Sequence, residues 1–201
     1  MEGTIMSDVA STGYWSGDNP FHAMSAPLSD WILEYLKSDL NKQIYDFGCG
    51  RGMYLAKLRD AGFTNLCGFE GDPPNNKVFD KILKQDLTKP IDLVEKGTVI
   101  SLEVAEHIPA QFTEQYLTNI YNACEANGKF ICSWAIRGQG GLGHVNELNN
   151  DEAIALITAK GFRYLEEDSV DARKNILTSE NIVEGHLPWF KNTVLIFERN
   201  G

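Results

Sequence analysis

The nine residues Ile44-Tyr45-Asp46-Phe47-Gly48-Cys49-Gly50-Arg51-Gly52 constrain this chain more than any other stretch. Apolar Ile44, Tyr45 and Phe47 flank one acid, three glycines then fall at alternate positions, and Tyr54, Leu55, Leu58 and Ala61 recur at helical spacing. The pattern is that of a buried strand, a tight glycine turn and a helix. Glycine is required where backbone turns sharply or lies against a ligand, because a Cβ would collide. In open α/β sheets such a turn sits at the carboxyl end of a strand, where ligands bind.

The glycine spacing narrows the ligand. A dinucleotide turn reads G-x-G-x-x-G; Gly48 and Gly50 fit it, but the third position is Met53, and the glycine stands instead at Gly52. A P-loop needs Gly-Lys-Ser/Thr, which is absent here. Asp46 at the mouth of the turn disfavours a phosphate and suits a cation. Asp-x-Gly-x-Gly-x-Gly resembles the first motif of the class I S-adenosylmethionine-dependent methyltransferases. That resemblance implies that Asp46, Gly48, Cys49 and Gly50 wrap the methionine end of the cofactor, whose sulfonium and ammonium are both positive. The competing reading of the motif alone is an ordinary strand-to-helix turn.

Downstream segments add to the likeness. Asn65–Glu70 reads as a second strand, closed by Gly71-Asp72-Pro73-Pro74. An acid at the end of strand two, some twenty residues past the turn, is where ribose-binding acids sit, so Glu70, with Gly71 beside it, is assigned to the ribose. Asn75–Leu83 is too short for a full crossover helix, a departure from the family that leaves the adenine side more open. Strand three is read as Ile82–Leu87. The resemblance implies that Asp86 bonds the adenine amino group and that the Leu87 N–H meets the ring; the alternative is that Asp86 caps the next turn.

Strand four, Thr98–Val104, runs into Glu103-Val104-Ala105-Glu106-His107-Ile108-Pro109. This resembles the fourth motif of the ubiquinone-pathway O-methyltransferase branch, which implies Glu103 near the methionine moiety and Glu106 and His107 facing the active site. In that branch the same spacing has been read as a divalent-metal site; three ligands from one short loop are sparse for a hard cation, and the expectation is no metal, with Glu106 and His107 capping a helix. That helix is expected to start at Pro109 and to bury Phe112, Tyr116, Ile120 and Ala123. Strand five is Lys129–Ala135. The loop Arg137–Asn146 after it holds four glycines and is expected to be mobile, with His144 and Asn146 candidate substrate contacts or merely exposed.

The remaining expectations are a helix from Pro27 burying Leu28, Trp31, Ile32, Tyr35 and Leu36; a helix from Asn150; strands at Phe162–Glu166 and Thr193–Glu198; and a long insertion over Val170–Asn192 whose Trp189 and Phe190 pack on the core. Residues 1–13 read as frayed. Tyr14-Trp15 and Phe21-His22-Ala23-Met24 are either core-edge packing or part of a lid over the cofactor.

The implied fold is a Rossmann-like class I methyltransferase α/β fold: about seven strands, mostly parallel, the last antiparallel, with helices on both faces. It is expected as one domain over 1–201, with 1–27 a lid segment and 28–198 the core. The 201 residues suit one core, and 43% apolar content suits a globular chain. The net charge of −10 argues against a broad nucleic-acid surface. No signal peptide or membrane span is read, and Cys49, Cys67, Cys124 and Cys132 form no C-x-x-C pair, so the expectation is a cytoplasmic monomer or dimer with reduced thiols. The function expected is transfer of the S-adenosylmethionine methyl to a small-molecule hydroxyl, carboxylate or amine, leaving S-adenosylhomocysteine. His107 or His144 serves as base, with Glu106 beside them. The alternatives are a protein or nucleic-acid methyltransferase and a non-catalytic cofactor-binding regulator.

Overall fold

A computed structural model describes residues 9–16, 22–178 and 187–201. Its strands are β1 (Gln43–Phe47), β2 (Asn65–Glu70), β3 (Ile82–Lys84), β4 (Thr98–Ser101), β5 (Lys129–Ser133), β6 (Phe162–Tyr164) and β7 (Val194–Arg199). They form one seven-stranded sheet in the order β3-β2-β1-β4-β5-β7-β6. Neighbours from β3 to β5 pair in parallel, and β7 runs antiparallel to both β5 and β6. The order reverses between β1 and β4, and the crevice outside their carboxyl ends is where sheets of this kind take ligands.

Side-chain alternation along the strands builds a core on each face. Tyr45, Phe47, Phe69, Val99 and Phe130 bury one face against Tyr116, Leu117 and Ile120 of helix α3 (Thr113–Ala123) and Ala153 and Ile157 of α4 (Asn150–Ala159). Ile44, Leu66, Ile100, Ile131 and Ile196 bury the other against α1 (Ala26–Tyr35), α2 (Met53–Asp60), α5 (Glu166–Thr178) and the short α6 (Phe190–Thr193). Each such side chain contributes about 1.5–3 kcal/mol on leaving water. Helix α1 starts with Ser25, whose hydroxyl accepts from the Leu28 N–H at 3.4 Å, and α4 starts with a capping box between Asn149 and Glu152.

Several boundaries differ from expectation. β3, β4 and β5 stop at Lys84, Ser101 and Ser133, so the residues after them are loop at the crevice. Pro109 precedes a 3-10 turn over Ala110–Phe112, and α3 begins at Thr113. β6 ends at Tyr164, because Glu166, Glu167 and Asp168 supply an acidic first turn for α5. Within the expected insertion, the described residues 170–178 and 190–192 are helical, and residues 179–186 lie outside the described residues. Helix α5 is tied to α1 by the Trp31 indole N–H on Asp171 at 2.7 Å and the Tyr35 hydroxyl on Asp168 at 2.5 Å. Phe190 is buried, but Trp189 is 36% exposed and turns to the crevice. No helix forms between β2 and β3, as the short segment required. Residues 1–8, including most of the segment read as frayed, and Phe21 lie outside the described residues. Residues 9–13 are not frayed: Val9 bridges to Trp15. Among the described residues no helix is long and apolar enough to cross a membrane, and all four cysteines are free thiols.

Candidate functional site

A cavity of about 630 Å³ opens at the carboxyl ends of β1, β2 and β4, within the size of small-molecule sites, about 300–1,000 Å³. Trp15, Asp46, Gly48, Cys49, Gly50, Glu70, Gly71, Asp86, Leu87, Glu103, His107 and His144 all line it. Glu106 does not; it lies beneath the wall, fully buried.

The glycine turn forms the floor. Gly48, Gly50 and Gly52 have φ of +77°, +52° and +78°, the left-handed region that glycine enters without penalty. A Cβ at Gly48 would lie 2.4 Å from a Val104 methyl. The Gly48 and Cys49 N–H groups donate to the Phe69 carbonyl at 2.8 and 3.1 Å, which locks the turn to the end of β2. Under the turn, Asp46 is 3% exposed and its Oδ2 has no partner. Burial, and then the nearby Glu70, push its pKa up to about 8. A buried carboxylate without a counter-charge is costly, and a cation at this wall would complete it.

Glu70 ends β2 with backbone donors on both oxygens: Gly50 N–H on Oε2 and Gly71 N–H on Oε1, both at 2.8 Å, with the Asp72 N–H as a third. Burial raises its pKa and these N–H groups partly offset the rise. A carboxylate has about four acceptor directions, so with three backbone donors in place capacity remains for one hydroxyl of a diol. Asp86 does what its alternative reading required: Oδ1 accepts from the Thr88 N–H at 2.9 Å and the Thr88 hydroxyl at 2.7 Å. The turn is held by one oxygen, and the residue still lines the cavity.

Beyond β4 the chain is strained. Glu103 has φ of +57°, uncommon for a residue with a Cβ. Ser133 holds it there: its Oγ accepts from the Glu103 N–H at 2.7 Å and donates to Oε1 at 2.8 Å. Burial pushes Glu103 up to about 7, opposed by hydrogen bonds from Ser133 and Trp189. Neither Glu106 nor His107 caps a helix, in correction of that reading; of the two, Glu106 is the buried one. Its side-chain oxygens have no partner of ordinary geometry, and burial followed by Glu103 drives its pKa well up. Its backbone carbonyl instead accepts from Val145 and Asn146 at 2.9 and 3.0 Å, tying the two loops together. Asn146 is structural: its amide donates to Thr113 Oγ1 at 3.0 Å and its carbonyl accepts from Trp134 at 2.6 Å.

His107 and His144 meet edge to face with ring centroids 4.9 Å apart. His107 Nδ1 lies 3.1 Å from the Gly143 carbonyl; burial, and then His144, lower its pKa to about 4. His144 Nδ1 lies 2.9 Å from Glu147 Oε1. Glu147 also accepts from the Gly138 and Gly140 N–H groups at 2.8 and 2.7 Å, so the glycine loop read as mobile is pinned at three points. Glu106, His107 and His144 bring one ligating atom each within 4.8 Å of one another, a grouping in which His144 replaces the Glu103 of the sequence reading.

The 9–16 segment covers the mouth. Gly13 packs so closely on the His107 carbonyl that a Cβ would be 2.1 Å from its oxygen, and Tyr14 lies on Gly71 with equal closeness. Trp15 meets the His107 ring at 5.7 Å. Sequence reasoning missed Tyr54, Gln85 and Trp189 in the cavity wall, and it missed Glu147. His22, from the segment read as core edge or lid, also lines the wall and returns over Gly50, where the ring sits 3.0 Å from an ideal Cβ position.

These residues fit an S-adenosylmethionine-type group: an orphaned buried carboxylate for positive charge, a glycine floor that a Cβ would fill, and Glu70 for a diol. A family model described as methyltransferase domain matches residues 21–170. EEF1A lysine methyltransferase 2 of Mus musculus is 23% identical over 141 residues, covering 60% of this chain and 56% of that protein. The ubiquinone biosynthesis O-methyltransferase of Rickettsia typhi is 28% identical over 141 residues, covering 61% and 56%. The chain thus spans little more than half the length of these relatives. The magnesium protoporphyrin IX methyltransferase of Synechocystis, solved with bound S-adenosylmethionine, superposes with a TM-score of 0.58 at 17% identity over 86% of this chain and 78% of that one. With this fold, this cavity and a family match over most of its length, the chain belongs to the class I S-adenosylmethionine-dependent methyltransferase family.

Proposed function

We propose that this chain transfers the methyl group of S-adenosylmethionine to a small molecule. When bound, the cofactor supplies a methyl already activated on a positive sulfonium, so the protein's work is alignment, which can supply up to about 7–11 kcal/mol. Asp46 and the glycine floor hold the cationic end, Glu70 and Gly71 the ribose, and Asp86 and Leu87 the adenine side. Glu103 borders the methionine end, and its strained backbone fixes the wall between cofactor and acceptor. Trp15, His107 and His144 border the acceptor end, and Gly13, Tyr14 and Trp15 exclude water from it.

The observation that carries the reading is the covered mouth. Tyr14 lies on Gly71 and Gly13 on His107, so one segment overlies both the cofactor end and the acceptor end. A small acceptor suits such a cover; a folded protein acceptor needs an open face. The lysine-methyltransferase relatives support the protein-acceptor alternative. The experiment is calorimetry with S-adenosylmethionine, followed by transfer of labelled methyl to a panel of small alcohols, amines and carboxylates, with EEF1A as a protein acceptor. Label on a small molecule is the expected result. Label on EEF1A alone would replace the small-molecule reading, and cofactor binding without any transfer would favour a regulator.

A further inference from the structure

The two histidines at the acceptor end are not equivalent. The His107 Nδ1 faces a neutral backbone carbonyl, and its ring is wedged between Trp15 and His144. The His144 Nδ1 faces the Glu147 carboxylate, and that carboxylate is itself fixed by the Gly138 and Gly140 N–H groups. An acid on Nδ1 holds the proton there, leaves the Nε2 lone pair free, and offsets the charge of an imidazolium formed on proton uptake. The ring's seat is equally specific. A Cβ on Gly141 would lie 2.4 Å from His144 Nε2 and 2.6 Å from Cε1. Gly141 has no positive φ, so space for the ring, not backbone freedom, is what glycine provides there.

We propose that Glu147 is a positioning residue that sets His144 as general base for a neutral hydroxyl acceptor, with Gly141 leaving room for the imidazole. The inference rests on the methyl-transfer reading above. A carboxylate acceptor arrives ionised and a free amine offers its own lone pair, so neither needs an oriented base; a hydroxyl does. In the step, the hydroxyl proton passes to His144 Nε2 as the oxygen–carbon bond forms. The methyl–sulfur bond breaks with its electron pair staying on sulfur. The imidazolium, balanced by Glu147, then gives its proton to solvent.

The test uses the whole chain with ¹⁵N-labelled histidine, with and without S-adenosylhomocysteine, assigning His144 by its loss in His144→Gln. Nitrogen shifts should show neutral His144 protonated on Nδ1 with Nε2 bare. Glu147→Ala should mix the two tautomers, while Glu147→Gln, which keeps an acceptor oxygen without the charge, should retain Nδ1–H. With 3,4-dihydroxybenzoate, which carries hydroxyl and carboxylate together, methyl should appear on a hydroxyl. Both Glu147 variants should lower kcat tenfold or more with KM for the cofactor unchanged. Gly141→Ala keeps Glu147 and its backbone contacts but displaces the ring, and should lose kcat alike. Neutral His144 protonated on Nε2 in the unaltered protein overturns the proposal whatever the activity. So does transfer to a carboxylate or an amine at an undiminished rate in Glu147→Ala, and that result leaves methyl transfer standing. Failure of the methyl-transfer reading shows separately, as absent binding of S-adenosylmethionine and S-adenosylhomocysteine.

Discussion

Glu70→Ala isolates the ribose contact. In the protein alone, Glu70 accepts the Gly50 and Gly71 N–H groups at 2.8 Å each and also the Asp72 N–H, and it lines the cavity with one acceptor direction to spare. One charge-assisted hydrogen bond to a diol gives about 1.5–3 kcal/mol. Burial already opposes the charged form of Glu70, so this is the most to expect, roughly 10- to 150-fold in Kd. Glu70→Gln should not rescue it. Whichever way the amide turns, its NH₂ meets the N–H of Gly50 or Gly71, donor against donor. The assay is calorimetric titration with S-adenosylhomocysteine, with circular dichroism to show an intact fold. A Kd within twofold of the unaltered protein's, in a folded Glu70→Ala variant, would refute the ribose assignment and leave Glu70 as a brace for the glycine turn.

Cofactor binding should release protons near neutral pH. Asp46 and Glu103 are held up to about 8 and about 7 in the protein alone, a bound cation favours their ionised forms, and affinity should therefore rise with pH through 7–8 and flatten above. Titrations in two buffers of different ionisation enthalpy read this directly; equal heats would refute it. Gly48→Ala, which combines φ of +77° with a 2.4 Å contact to Val104, should destabilise the fold by about 1–3 kcal/mol; adding Val104→Ala should relieve the contact but not the backbone strain, as read by urea melts. Activity should survive EDTA, since nothing in methyl transfer from an activated sulfonium requires a metal; loss of activity restored by Mg²⁺ or Zn²⁺ would make Glu106, His107 and His144 ligands. Replacing His107 by Gln should lower kcat less than replacing His144 by Gln, because only His144 is backed by an acid.

The sequence carried the parts of the site that are local. Asp46, the three glycines and Glu70 lie at strand ends whose hydrophobic patterns are clear, so the strand register alone brings them together. Contacts made by chain returning from afar were not legible. Glu147 looked like an ordinary polar residue before a helix, and its role appears only when the glycine loop folds back on it. Glu106 and His107 are adjacent in sequence, yet one sinks beneath the wall and the other lines the cavity, because the loop after β4 turns through a strained Glu103. The helix α5 was missed because its pattern of apolar residues is broken by charges that α1 meets with Trp31 and Tyr35, a pairing across more than 130 residues.

The missing helix between β2 and β3 has its own cost. β3 is the edge of the sheet, and with no helix beside it Leu83 is 49% exposed and Val78 42%. An apolar edge strand invites another strand to pair with it. Here β3 is only three residues long, and it is bracketed by Lys81 and by Lys84, the latter paired with Asp72 at 2.9 Å. A strand docking against β3 would have to bury those charges. The shortened crossover is thus matched by a short, lysine-guarded edge at which strand pairing carries a charge-burial cost.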